Sequence, residues 1–486
     1  MLTRSGVNIK FVIHHFGAIL LLEGIFMILD DLISLYYDPL HVTILLSSTV
    51  VTLGAGGFFF LSTKNATQSY SDRETFLIVT GGWVLISLFG TLPYLFTGYI
   101  PSFTDAFFET MSGFTTTGAS ILNNIEGLSK GVLFWRSETH WIGGIGIIVI
   151  FITIFNFISN NNVHQLFSSE FSNVTGQKLF PKVIQVTKVL LIIYVSFTVL
   201  ETYLLMQGGM NFFDSVCHSF GTIATGGFST KNNSIEGFSP YIQYVIMFFM
   251  MLSGANFNLY IALFSKRKNI FKDEELRLYL FFIFLIGSII TLILFFKMHY
   301  DFEYSFRTAF FQVISIITAT GFTSTDYLQW PEYAWILLIF LMFIGASSSS
   351  TGGGIKVIRV LIAGKYIKNL FKKASHPNLV SVIKYNGKPI PSQVIRRVLA
   401  FIVLYLLIAI GSAFLLMVDH VSATTSFGSV LTCMGGVGPG LELTGPASNF
   451  HALPDFSKWV LAFDMLVGRL EIFSVLVIFV PDFWRS

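Results

Sequence analysis

The chain has 486 residues, 53% of them hydrophobic and 12% charged, with a formal net charge of +3 and a mean hydropathy of +0.70. One or two soluble cores cannot bury that much apolar surface, so lipid is the solvent for most of the chain and the soluble classes are excluded. Two cysteines, Cys217 and Cys433, give neither a disulfide framework nor zinc spacing, and His14, His15, His218 and His376 are scattered.

A helix needs about 20 largely apolar residues to cross the hydrocarbon core. In chain order the pattern predicts ten such spans, at residues 11–32, 41–61, 76–96, 134–157, 183–205, 241–264, 278–296, 334–362, 398–418 and 459–480. The first resembles a signal peptide, with Arg4 and Lys10 before an apolar run, but His14, His15 and Glu23 interrupt it and no small-residue cleavage site follows. It is expected to remain as a membrane helix. Between the later spans lie apolar stretches too short to cross, at 101–114, 211–222, 304–317 and 422–433, which predict re-entrant half-helices.

Charge placement orients this array. Lys365, Lys368, Lys372, Lys373, Lys384, Lys388, Arg396 and Arg397 crowd one loop, and Lys266, Arg267, Lys268 and Lys272 another. By the positive-inside rule both are cytoplasmic, which with an even span count puts both termini there too. The alternate loops carry Asp105, Asp214, Asp301, Glu303, Asp326, Glu442 and Asp455 and face outward. The basic loops read as solvated cytoplasmic faces, so no nucleic-acid partner is expected.

Four short pieces are variations on one another: TTTGAS at 115–120, ATGGFST at 224–230, TATGFTS at 318–324 and MGGVGPG at 434–440. They recur at domain-scale spacing, each behind a short half-helix and between two spans. The fold class expected is therefore an all-α polytopic membrane protein of about ten transmembrane helices, with four pseudo-repeated units of helix, pore helix, filter loop and helix. Residues 1–66 form two additional helices, and the repeats occupy 67–165, 166–270, 271–385 and 386–486. Non-helical backbone at membrane depth lines a cavity or is buried in protein. Half-helices entering from outside would aim their partly negative C-terminal ends at the centre, which favours a cation. Glycine permits the positive φ that turns carbonyl oxygens inward to replace an ion's water shell. The candidate ion-binding residues are Thr116, Thr117 and Gly118; Thr225, Gly226 and Gly227; Thr318, Ala319, Thr320 and Gly321; and Gly436, Val437 and Gly438. In the second loop Gly226 and Gly227 leave the register open by one residue. In the fourth, Val437 replaces the threonine, and weaker coordination is expected there.

The motifs FETMSGFTTTGAS at 108–120, WRSETHWIGGIGIIV at 135–149, ATGGFST, GASSSSTGGGIKV at 345–357, GGVGPG and MLVGRLEIF at 465–473 together resemble the TrkH branch of the Trk/Ktr/HKT potassium transporters. The similarity runs from the first helix to the last. It implies potassium as the transported ligand, a fourfold pseudosymmetric pore in the cytoplasmic (inner) membrane, a homodimer in lipid, and a cytoplasmic nucleotide-binding regulatory subunit of the TrkA type. In that family a glycine in each loop accompanies potassium preference, and Gly118 fits it.

Two further features are gate candidates. The run Gly345, Ala346, Ser347, Ser348, Ser349, Ser350, Thr351, Gly352, Gly353 and Gly354 interrupts an otherwise apolar span, where glycines and hydroxyls oppose a continuous helix. The resemblance implies an intramembrane loop that obstructs the pore beneath the filter; a solvent-exposed connection is the alternative. Arg469 sits within a predicted span, where an ionised group faces a cavity or a partner. Its place in the family implies a gate role, with an ion pair to Glu471 or another acid as the alternative. Glu138 and His140 are weaker candidates. No nucleophile with its base, metal cluster or dinucleotide fingerprint appears, so no enzyme and no cofactor on this chain is expected. The function expected is channel-like potassium uptake, gated by the loop and regulated by the partner subunit; a symporter coupling potassium to protons or sodium is the alternative.

Overall fold

The computed structural model describes residues 7–65, 71–159, 183–264, 270–379 and 381–485. Lys266, Arg267 and Lys268 of one basic loop, Arg4, and the repeat borders near 66 and 165 lie outside them.

Helices α1 (Ile9–Tyr37) and α2 (Val42–Ser62) form an antiparallel hairpin. Gly17 and Gly56 let their backbones touch: a β-carbon on Gly56 would stand 2.8 Å from the amide nitrogen of Leu21. Small residues at such crossings are how apolar helices associate in lipid. The first repeat is α3 (Asp72–Phe89) with the short α4 (Leu92–Thr97), the half-helix α5 (Phe103–Phe114), and α6 (Lys130–Ser159). The second is α7 (Val183–Gln207), half-helix α8 (Phe212–Ile223), and α9 (Pro240–Ser253) with α10 (Phe257–Phe264). The third is α11 (Glu274–Lys297), half-helix α12 (Phe302–Ile317), α13 (Glu332–Ile344) and α14 (Val357–Ser375). The fourth is α15 (Ser392–Val418), half-helix α16 (Ala423–Gly435), α17 (Asp455–Leu470) and α18 (Ile472–Leu476), with α19 (Pro481–Trp484) at the end. Each half-helix starts at a polar cap whose side chain accepts a backbone N–H: Ser102, Asn211, Asp301 and Ser422.

Among the described residues, six helices are long and apolar enough to cross a membrane, α1, α2, α7, α11 and α15 among them. Three of the four second helices of the repeats depart from the continuous spans that hydropathy predicts. The stretch 241–264 bends by 87° between α9 and α10. The stretch 334–362 is two helices joined by an irregular loop through residue 356, and its second helix runs on to Ser375. The stretch 459–480 breaks at Glu471, which has φ +64°. In each case a side chain or backbone group at the break is bonded elsewhere, as described below.

Strands β1 (Lys384–Tyr385) and β2 (Lys388–Pro389) make a small antiparallel hairpin before α15. The expected border between the third and fourth repeats, 385/386, falls in its turn.

Candidate functional site: four loops around one axis

The half-helices unwind in the same way four times. Five residues behind it, a carbonyl receives the amide of each loop's middle residue: Thr117 to Ser112, Gly226 to Gly221, Thr320 to Ser315 and Val437 to Thr432, at 2.7–2.9 Å. The residue before each of these has positive φ: Thr116 53°, Thr225 54°, Ala319 58° and Gly436 67°. The residue after is a glycine with positive φ: Gly118 80°, Gly227 81°, Gly321 80° and Gly438 95°. This fixes the register of the second loop on Gly227, since Gly226 keeps negative φ. It also places the fourth loop, despite Val437, on the same backbone path as the others. In each loop two positive-φ residues thus flank one without it, the same backbone path four times over.

The glycines close a ring. A β-carbon on Gly118 would strike the carbonyl oxygen of Gly226; one on Gly227, that of Thr320; one on Gly321, that of Val437; and one on Gly438, that of Thr117. Each loop thus seats against the next, and the fourth returns to the first. All four glycines also line one cavity of about 170 Å³, walled by residues that follow them, including Ser120, Asn123, Thr323 and Pro439.

Hydroxyls brace this backbone. Thr115 Oγ1 and Thr117 Oγ1 lie 2.8 Å apart, as do those of Thr318 and Thr320. The side chain nine residues before each glycine ties the half-helix to the strand that leaves the ring. Glu109 accepts from Ser120 Oγ at 3.0 Å and the Ile121 amide at 2.9 Å. His218 Nε2 meets Ser229 Oγ at 2.9 Å, Gln312 Nε2 donates to Ser324 Oγ at 3.4 Å, and Ser429 Oγ meets Thr444 Oγ1 at 2.9 Å. Glu109 also pairs with Arg136 at 2.7 Å, and Arg136 donates to the Ser229 carbonyl at 2.8 Å, joining the first loop to the second. His140 bonds the Gly113 carbonyl at 2.7 Å and stacks on Phe228. Outside the spans, Glu442 accepts from Ser422 Oγ at 2.6 Å and Thr425 Oγ1 at 2.9 Å, which holds its carboxyl below the usual carboxylate range.

On the other side of the ring lies the 345–356 loop. A β-carbon on Gly352 would strike the Thr318 carbonyl, and one on Gly353 the Gly435 carbonyl. Thr351 Oγ1 accepts from Thr225 Oγ1 at 3.0 Å. The loop is therefore buried directly against residues at the start of the second, third and fourth glycine loops, and is not a solvent-exposed connection. Positive φ at Gly345, Ser349, Gly354 and Lys356 folds it back on itself. The bend in the second repeat receives it: the Ser347 amide donates to the Gly254 carbonyl at 3.0 Å, Asn256 Nδ2 to Ser348 Oγ at 3.1 Å, and Asn258 Nδ2 to Ser349 Oγ at 3.0 Å. Ser350 Oγ donates internally to the Ser347 carbonyl, and the Val357 amide to that of Ala346.

Arg469, 7% exposed, donates through one guanidinium nitrogen to the Thr351 carbonyl and through the other to that of Gly143, 2.9 Å away. It bridges the loop to the first repeat. Glu471 takes a different partner, Arg359 at 2.9 Å, and the guanidinium of Arg359 also lies 3.8 Å over the Phe401 ring. Two residues apart, the side chains of Arg469 and Glu471 do not face each other. Sequence reasoning singled out Arg469 and the loop but missed Glu109, Arg136, Asn256, Asn258, Arg359 and the Arg359 pairing of Glu471. Spacing alone could have found the positions nine residues before each glycine.

A helical membrane protein whose four repeats each give one positive-φ glycine loop to a common ring belongs to the pseudo-fourfold class. A family model described as "TrkH: Cation transport protein" matches residues 43–486, and the chain belongs to that family. It is 36% identical over 485 residues to the Trk system potassium uptake protein TrkH of Escherichia coli (strain K12), covering 97% of this chain and 100% of that one. The TrkH of Vibrio parahaemolyticus is 34% identical over 488 residues, covering 99% and 100%. The crystal structure titled as the potassium transporter TrkH from Vibrio parahaemolyticus superposes with a TM-score of 0.89 at 32% identity, over 99% of this chain and 100% of that one.

Proposed function

We propose that this chain takes up potassium across the cytoplasmic membrane through a channel-like pore. The carbonyls around Gly118, Gly227, Gly321 and Gly438 serve as its selectivity filter. The observation that carries this reading is the fourfold repeat of one backbone geometry around a single cavity. A ring of inward carbonyls selects a monovalent cation without any protein charge in the path. The run 345–354 acts as the gate, because its glycines stand against the start of the filter segments, and Arg469 as its anchor, because it bonds the Thr351 carbonyl. The relatives named as Trk system potassium uptake proteins support potassium as the cargo. From the resemblance of the motifs we further propose a homodimer and a cytoplasmic TrkA-type subunit that binds nucleotide and docks on the basic loop of 365–388.

Rubidium and sodium flux into proteoliposomes, at several membrane potentials and two pH values, tests this. Flux of rubidium that follows potential and ignores pH is the expected outcome; flux that tracks a proton or sodium gradient would make the protein a symporter instead.

A further inference from the structure

Resting on the gate reading, we infer that Glu275 is the positioning residue that holds the 345–356 loop in its obstructing place, and that the hairpin Lys384–Pro389 is the lever acting on it. Glu275 is fully buried in the first turn of α11. Its carboxylate takes the Ser348 amide at 2.5 Å, Ser348 Oγ at 2.7 Å and Asn256 Nδ2 at 3.3 Å. All three neighbours donate, and both oxygens are used. A carboxylate answers this arrangement, whereas a glutamine would turn an N–H₂ toward a donor. One side chain thus grips both the loop and the bend that receives it.

The two residues before Glu275 face the hairpin. Asp273 accepts from Asn386 Nδ2 at 2.7 Å and from the Tyr385 hydroxyl at 3.3 Å, and the Glu274 amide donates to Asn386 Oδ1 at 3.0 Å. Lys365 pairs with Glu274 and donates to the Lys384 carbonyl at 2.7 Å. Tyr385 is seated in a small core with Ile358, Ile362, Ile395 and Val398. Asp273 caps α11 by accepting the Leu276 amide at 2.9 Å, and Glu274 and Glu275 are the helix's first two residues, so the three are tied into one turn. Displacement of the hairpin therefore carries Glu275, and with it Ser348.

The test is basal rubidium flux in proteoliposomes, read beside the rubidium-to-sodium ratio. Glu275→Gln is expected to raise basal flux about tenfold or more, the factor given by losing a hydrogen bond to a charged acceptor, with the ratio unchanged because the filter is untouched. Ser348→Ala, a mild change less prone to fold poorly, should raise it as well. Added to Glu275→Gln it should raise flux no further, since both variants cut one contact. Asn386→Ala should raise flux by a smaller factor and, again, add nothing to Glu275→Gln. Wild-type flux in Glu275→Gln and Ser348→Ala, or effects that multiply in the double variants, would overturn the inference. If deleting part of 345–354 opens the path while these variants stay shut, the gate reading stands and this inference alone fails.

Discussion

Gly118 has no room for a side chain, because a β-carbon there meets the carbonyl oxygen of Gly226 in the next loop. Serine at this position must push that carbonyl aside and adopt a φ of 80° that L-residues disfavour. Overpacking of this kind costs roughly 1–3 kcal/mol, and here it falls on a backbone carbonyl of the next loop. Gly118→Ser is therefore expected to lower potassium-over-sodium discrimination about tenfold, read from reversal potentials in mixed salt; an unchanged ratio counts against the filter assignment. Glu109 makes a different kind of demand. It sits fully buried beside Arg136, with every neighbour donating to it. Glu109→Ala leaves a buried guanidinium without its counter-charge, so a loss of about 3–5 kcal/mol in stability is expected. Thermal unfolding in detergent measures it.

At the level of elements, the legibility of the fold followed from which physical cause set each feature. The half-helices and the 345–354 interruption were readable because length and glycine content are properties of the local sequence. The bend at Gly254–Asn256 and the break at Glu471 were not, since Gly254, Asn256, Arg469 and Glu471 stand in otherwise apolar stretches whose length and hydropathy read as continuous spans. What bends them is competition for backbone and side-chain groups by the loop and by Arg359, which are distant in sequence. The braces nine residues before each glycine escaped for another reason. Glu109, His218, Gln312 and Ser429 share a position and a task but no chemistry, so a search by residue type passes over them. The loop itself yields a prediction. It fills the space under the ring with glycines, held by contacts to Gly254, Asn256, Asn258 and Arg469. Removing Gly352 and Gly353, or replacing Arg469 by alanine, is expected to raise basal rubidium flux by about tenfold or more, by the loss of at least one charge-assisted bond. A fall in flux from correctly folded protein would assign the loop a supporting role.

Across the whole molecule, the ring is the place where all four repeats meet, and no single repeat can form it. Each glycine abuts the preceding residue's counterpart in the next loop, from Gly118 round to Gly438 and back to Thr117. A cation held by those carbonyls would be bonded to all four quarters of the chain at once. Unfolding scatters the quarters, so the unfolded chain has no equivalent site, and an ion that binds only the folded state stabilises it by mass action. Potassium or rubidium should accordingly raise the unfolding temperature in detergent, by about 2.7 kcal/mol of stability at a concentration a hundred times its dissociation constant. Sodium at the same ionic strength should do so less, and choline not at all. The difference between ions separates this effect from general screening, which depends on ionic strength and not on which monovalent cation supplies it. In Gly118→Ser the gap between potassium and sodium should narrow, because the distorted oxygen belongs to the same ring. Equal stabilisation by all three salts would mean that the ring binds none of them selectively, and would leave the four loops as a structural junction.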